Sequence, residues 1–358
     1  MQSLSALGFN SFFEQQLLPE ADPSGIPARV IAEHRGTWEV ASASGEGRAQ
    51  LSGRVRIEQE GVAIPAVGDW VVLDAAPGRD STSTIRRVLT RRTVFTRGAA
   101  GKESRPQVIA ANVDIVFVVC GLDADFNIRR IERYLARIFA SGAMPAVLLN
   151  KVDLCPDAAA RLLEVSRCSP GVPVHLISAR DHVGLDDVRK SIREGVTAAL
   201  VGSSGVGKST LVNAILGEDR MPTGEVRARD NRGRHVTTRR QLIRIDGGGL
   251  LLDTPGMREL QLLDDDGIDT VFDDIAALAD HCHFRDCTHD AEPGCAVKAA
   301  LAAGELDAGR FDSYRRLQRE ARSNEIRHDV HRRKEAARMW GQLHREVDQL
   351  RKWKGGKP

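Results

Sequence analysis

Aromatic residues are scarce in this chain, at 4% of its 358 positions, against 42% apolar residues overall. Its cores must therefore be built mainly from aliphatic side chains. Cysteine is also rare, with six residues. Cys120, Cys155 and Cys168 are scattered and read as reduced thiols, Cys120 within a buried strand. No CxxC pair exists, which removes the usual dithiol redox motif. The opening residues do not read as a secretory signal, which disfavours a disulfide scaffold. No apolar run is long enough for a membrane span, and no internal repeat is present. A cytoplasmic protein with no membrane partner is expected, of a length suited to two or three domains.

Five short motifs stand out. Gly202-Ser203-Ser204-Gly205-Val206-Gly207-Lys208-Ser209, followed by Thr210, fits the phosphate-binding loop pattern. The apolar run Ala198–Val201 before it reads as a buried strand, and residues 209–216 after it read as a helix. In that setting backbone N–H groups turn toward phosphate oxygens at a helix N-terminus. Lys208 is expected to reach the outer phosphates, and the Ser209 hydroxyl to ligate magnesium.

Asn150-Lys151-Val152-Asp153 closes the apolar run Ala146–Leu149, which places it at the carboxyl end of a strand. A carboxylate at Asp153 can accept from two neighbouring N–H groups of guanine, and adenine offers no such pair. Asn150 is expected to tie this loop to the phosphate loop, and the Lys151 stem to cover the base. Val174–Ile177 reads as another strand, with Ser178-Ala179 placed for a backbone contact to the base.

Two switch segments complete the set. Asp253-Thr254-Pro255-Gly256 follows Leu250–Leu252, with Asp253 near magnesium and the Gly256 N–H near the γ-phosphate. Gly233–Thr238 is the candidate first switch. Either Thr237 or Thr238 would reach magnesium, and the sequence does not choose between them. Met257 stands after Gly256, and a thioether does not orient water as a Gln would. Intrinsic hydrolysis is therefore expected to be slow. His235 is the candidate to position water; contact with RNA, or packing, is an equal reading of the same residue. The guanine-reading motifs precede the phosphate-reading motifs, which is a circular permutation of the ordinary order.

Cys282-x4-Cys287-x-His289-x5-Cys295 supplies a Cys3His set, a complete tetrahedral shell for one structural zinc. His281 and His283 beside it read as surface residues. Net charge is only +2, but residues 310–358 hold 15 Lys and Arg against 7 Asp and Glu. That basic, helix-compatible tail, with Trp340 and Trp353, reads as a phosphate-backbone footprint. Arg227, Arg229, Arg232, Arg234, Arg239 and Arg240 crowd the first switch and point the same way. From about Pro27 to Phe95 the pattern is of short alternating strands broken by Gly, Pro and Ser. A small barrel is expected, with the OB-fold the natural candidate and an SH3-like barrel the alternative. Arg86, Arg87, Arg91 and Arg92 at its exit suit oligonucleotide binding.

Together these features describe a multidomain chain. Residues 1–24 read as a flexible arm and 25–97 as an OB-fold-like β-barrel. Residues 98–273 read as a circularly permuted α/β P-loop GTPase domain. Residues 274–358 read as a mostly helical, zinc-binding and basic domain.

The combination resembles the circularly permuted, small-ribosomal-subunit-dependent GTPases of bacteria (the bacterial ribosome biogenesis GTPase A family). GSSGVGKSTLVN, NKVD, GRHVTT, DTPGM and the C-x4-C-x-H-x5-C block all carry the likeness, which covers nearly the whole chain. The resemblance implies GTP hydrolysis, with magnesium and GTP or GDP bound, stimulated by the small ribosomal subunit and its rRNA. It also implies release once GTP is hydrolysed, late in subunit maturation. A monomer is expected. The rival reading is an RNA-binding assembly factor that uses GTP mainly as a structural ligand.

Overall fold

The computed structural model describes residues 3–17, 25–34, 36–51, 64–78, 81–97, 107–218, 240–253, 266–323 and 325. His235, Thr237, Thr238, Gly256, Met257, the arginines 227–239 and the tail from 326 lie outside the described residues.

Five strands form the barrel: β1 (Ile26–His34), β2 (Thr37–Ser42), β3 (Gly45–Leu51), β4 (Trp70–Leu73) and β5 (Thr82–Val88). β1 pairs with β2, β2 with β3, β3 with β5 in parallel, β5 with β4, and β4 with β1 again. That closed order, with its one parallel pair, is the OB-fold and not an SH3-like barrel. Alternation along the strands buries Val30, Val40, Val71 and Ile85 inside.

Residues 3–17 are not a free arm, contrary to expectation. Asn10 caps the short helix α1 (Ser11–Glu14) by accepting from the Phe12 amide. Leu7 and Phe13 are buried, and Phe9 and Phe13 pack on the Trp70 ring. The fully buried Arg29 guanidinium then donates to the carbonyls of Leu7, Gly68 and Asn112. Arm, barrel and the entry to the next domain are stitched at one side chain. Burial lowers the Arg29 pKa to about 10, and Asp114 and Asp69 oppose that shift.

A hairpin of β6 (Val94–Arg97) and β7 (Gln107–Ala111) leads into the second domain. Its strands are β8 (Ile115–Gly121), β9 (Met144–Asn150), β10 (Val174–Ile177), β11 (Thr197–Val201), β12 (Gln241–Arg244) and β13 (Leu250–Asp253). In space they run β10-β9-β8-β11-β13-β12, all parallel except β12. The phosphate-loop strand β11 is thus central although the chain reaches it fourth. Near-continuous apolar runs in β8, β9 and β11 match a sheet covered on both faces. The helices are α2 (Ile128–Ala140), α3 (Ala158–Cys168), α4 (Leu185–Ser191) and α5 (Lys208–Leu216). β12 also pairs with β1 at Ala32 and Gln241, so the sheet continues into the barrel.

The third part is helical: α6 (Asp266–Val271), α7 (Asp273–Ala279), α8 (Ala296–Ala303) and α9 (308–323). It docks on α2. Gly267 lies so close to the Ala136 carbonyl that no Cβ would fit. Arg310 is the hub of the junction. It donates to Glu132 (2.9 Å), to both oxygens of Asp274 (2.7 Å each) and to the Val271 carbonyl (2.8 Å). Its guanidinium also lies over Phe272. Arg137 to Glu320 (2.6 Å) and Arg129 to Asp307 add further ion pairs. Among the described residues no helix is long and apolar enough to cross a membrane.

Candidate functional site

The P-loop is held between β11 and α5. Gly202 and Gly207 have φ of +147° and +94°, and a Cβ at either would collide with Val119 O or Asn150 Nδ2. Both positions therefore require glycine. Ser209 and Thr210 lie in the first turn of α5, whose N-terminal amides face the loop. Lys208 Nζ donates to the carbonyls of Gly202 (2.7 Å) and Ser203, which places the ammonium inside the loop.

Asn150, at the end of β9, is the junction of three loops. Its Nδ2 donates to the Val206 carbonyl in the P-loop at 2.8 Å. Its Oδ1 accepts from the Ala179 amide at 2.9 Å. The side chain is buried, so both bonds are shielded from water. Three of the five motifs found in the sequence are therefore one physical cluster.

Lys151 has a left-handed backbone, φ +70°, which is uncommon outside glycine. Its ammonium donates to the Gly205 carbonyl at 2.8 Å and to Asp123 at 2.5 Å. Ser178 Oγ donates to one oxygen of Asp153 at 2.7 Å, and Arg180 lies 3.0 Å from the other. A cleft of about 410 Å³ opens beside these groups, with Ala179, Arg180 and His182 on one wall and Thr210, Asn213 and Gly217 on the other. One end of the site therefore offers a carboxylate acceptor, and the other a ring of amides with an ammonium. β13 ends at Asp253, beside the P-loop strand β11. The sequence reading missed Asp123, Asp125 and Arg130. Arg130 pairs with Asp125 at 2.7 Å and donates to the P-loop hydroxyl of Ser203.

The Cys3His set also comes together. Ligand atoms of Cys282, Cys287, His289 and Cys295 all lie within 4.8 Å of one another. His289 Nδ1 is 3.6 Å from Cys282 Sγ and 3.5 Å from Cys295 Sγ, and those two sulfurs are 3.9 Å apart. Tetrahedral zinc with bonds of about 2.3 Å to sulfur and 2.0 Å to nitrogen requires edges of about 3.8 and 3.5 Å. The three edges among Cys282, His289 and Cys295 match that ion, and Cys287 completes the set within 4.8 Å. His289 adopts φ +59° to turn its ring inward, and burial lowers its pKa, favouring the neutral, ligating form. Cys295 caps α8, accepting from the Lys298 amide at 3.5 Å. His281 and His283 are exposed.

The sequence profile of the RsgA GTPase family matches residues 88–263. A protein of Opitutus terrae named small ribosomal subunit biogenesis GTPase RsgA is 48% identical over 328 residues, 89% of each chain. A Lactiplantibacillus plantarum relative, small ribosomal subunit biogenesis GTPase RsgA 2, is 46% identical over 296 residues, 82% of this chain and 83% of its own. The crystal structure of YjeQ from Thermotoga maritima superposes with a TM-score of 0.62 at 25% identity. That match covers 83% of this chain and 98% of the other.

Proposed function

The chain belongs to the RsgA GTPase family, and on that premise we propose that it hydrolyses GTP as a gated step in maturation of the small ribosomal subunit. The observation that carries the nucleotide reading is Asn150, which bonds the guanine loop to the P-loop and to Ala179 at once. Guanine would be read by Asp153, with the Ala179 amide and the Lys151 stem beside it. The α- and β-phosphates would lie in the amides of Gly205 to Thr210, with Lys208 neutralising the outer charge. Ser209 and one of Thr237 or Thr238 would hold magnesium, with Asp253 behind it and the Gly256 amide at the γ-phosphate. His235 is proposed to orient the attacking water. Magnesium supplies charge neutralisation across the β- and γ-phosphates when bound.

Cys282, Cys287, His289 and Cys295 would hold zinc in a closed shell, a structural role with no position left for substrate. Ligand binding and folding are then one process for this module. Treatment with a strong chelator is expected to release one zinc per chain, melt the α8 region and leave GDP binding by the P-loop intact. Zinc release measured with a colorimetric chelator, alongside GDP titration, checks this.

The subunit is proposed from the names of the relatives, rRNA contact from the basic segments of the sequence, and release on hydrolysis from the family resemblance alone. The experiment is GTP turnover by the purified protein, alone and with small ribosomal subunits, with Lys208→Ala as control. Stimulation by subunits, reduced about a hundredfold or more in the control, is the expected result. Turnover indifferent to subunits would remove the gating from the proposal.

A further inference from the structure

The loop Leu122–Asn127 between β8 and α2 touches the nucleotide site from outside, and no sequence motif marks it. Leu122 N donates to the Asn150 carbonyl at 2.8 Å, which fixes the loop to the start of the guanine motif. Asp123 then turns inward. Its Oδ2 is 2.5 Å from Lys151 Nζ, and its Oδ1 accepts from the Asp125 amide at 3.1 Å. A Cβ on Gly121 would stand 2.8 Å from Asp123 Oδ1, so the residue before the loop leaves room for the carboxylate. The other end of the same ammonium contact is the P-loop, through the Gly205 carbonyl at 2.8 Å. Both partners are only about a quarter to a third exposed, at 26% for Lys151 and 31% for Asp123. The Lys151 hydrogen bond holds the Asp123 carboxyl below the usual carboxylate range, against the opposing effect of burial.

A lysine has four rotatable bonds and loses much rotamer entropy when it is fixed. Without a counter-charge the Lys151 ammonium would sample solvent, and its stem would leave the base site. Asp123 removes that freedom before a ligand arrives, so less ordering remains to be done on binding. A second contact of the same loop, Asp125 to Arg130 to Ser203, ties it to the P-loop at another residue.

We propose that Asp123 is a positioning residue for guanine-nucleotide binding, acting through Lys151 to brace that side chain across the P-loop. This rests on the guanine-nucleotide reading given above. It is tested by a double-mutant cycle of Asp123→Asn and Lys151→Met, read by titration of fluorescently labelled GDP into the full chain. Asp123→Asn is expected to weaken GDP about fivefold to tenfold and to raise the KM for GTP with little change in kcat. In the Lys151→Met background the same substitution is expected to add almost nothing. Asp123→Ser serves as a second variant, and thermal melting of each ligand-free protein should match the parent. Parental GDP affinity in both Asp123 variants, or losses that multiply in the double mutant, would overturn the brace. A parent chain that itself fails to bind labelled GDP would instead overturn the nucleotide reading beneath it.

Discussion

Arg310→Ala is expected to cost about 3–5 kcal/mol of stability and to separate the unfolding of the C-terminal helices from that of the GTPase domain. Removing the guanidinium leaves Glu132, 1% exposed, and Asp274 without the cation that joins them. Glu132 already sits above the ordinary carboxylate range. Burial is the main cause, and Arg129 and Arg310 oppose it. Loss of Arg310 raises it further. A carboxyl raised in the folded state holds its proton there at a pH where the unfolded chain has released it. Stability therefore falls as pH rises through that window. The variant should accordingly be closer to the parent near pH 5 than at pH 8. Denaturant unfolding followed by circular dichroism at the two pH values measures this. A single transition with the parental midpoint would show that the α2–α9 junction does not depend on this residue. Pairing Arg310→Met with Glu132→Leu should recover most of the loss, since an apolar pair leaves no buried charge behind.

The second large effect is expected at Asp153. Its carboxylate would accept two charge-assisted bonds from guanine, each worth about 1.5–3 kcal/mol. Asp153→Asn replaces one acceptor with an N–H donor, so one of guanine's donors then faces a donor. GDP affinity should fall about a hundredfold to ten-thousandfold. The same amide can donate to the 2-oxo group of xanthine, so the xanthine nucleotide should become the better ligand. Calorimetric titration with GDP and with the xanthosine diphosphate tests both halves. Ser178, 2.7 Å from Asp153, already orients the acceptor, and the new amide retains an oxygen for that hydroxyl. Unchanged preference for GDP would remove Asp153 from base recognition.

What the sequence made legible was local. Gly202 to Thr210, Asn150 to Asp153 and the four zinc-cage residues lie in short spans with fixed spacing, each after a strand or around a turn. Their chemistry can be read before any fold is known. The contacts that join distant spans left no such trace. Arg29, Arg310 and Glu132 look like ordinary surface charges in a chain that is 28% charged, and only tertiary structure buries them. Asp123 has no periodic or spaced partner, because its cation is 28 residues away. The N-terminal residues read as an arm because α1 spans only four residues. Phe9 and Phe13 were the available signal, and Trp70 was the surface they needed. The choice between barrels also lay beyond strand counting, since it depends on the parallel pairing of β3 with β5.

The permuted strand order also governs how the sheet grows on the ribosome that makes it. Domains emerge N-terminal end first, so the barrel is available before any GTPase strand. β8, β9 and β10 then appear in turn as adjacent neighbours, leaving β8 with an open edge until β11 arrives. An open edge in a nascent chain invites wrong pairing, and here it persists while roughly 75 residues are made, from Gly121 to Thr197. β12 emerges next but has no place beside β11 until β13 is inserted between them. The seam joining the sheet to β1 therefore pairs strands made more than 200 residues apart, and the pairings of β13 with β11 and β12 are the last that the chain supplies.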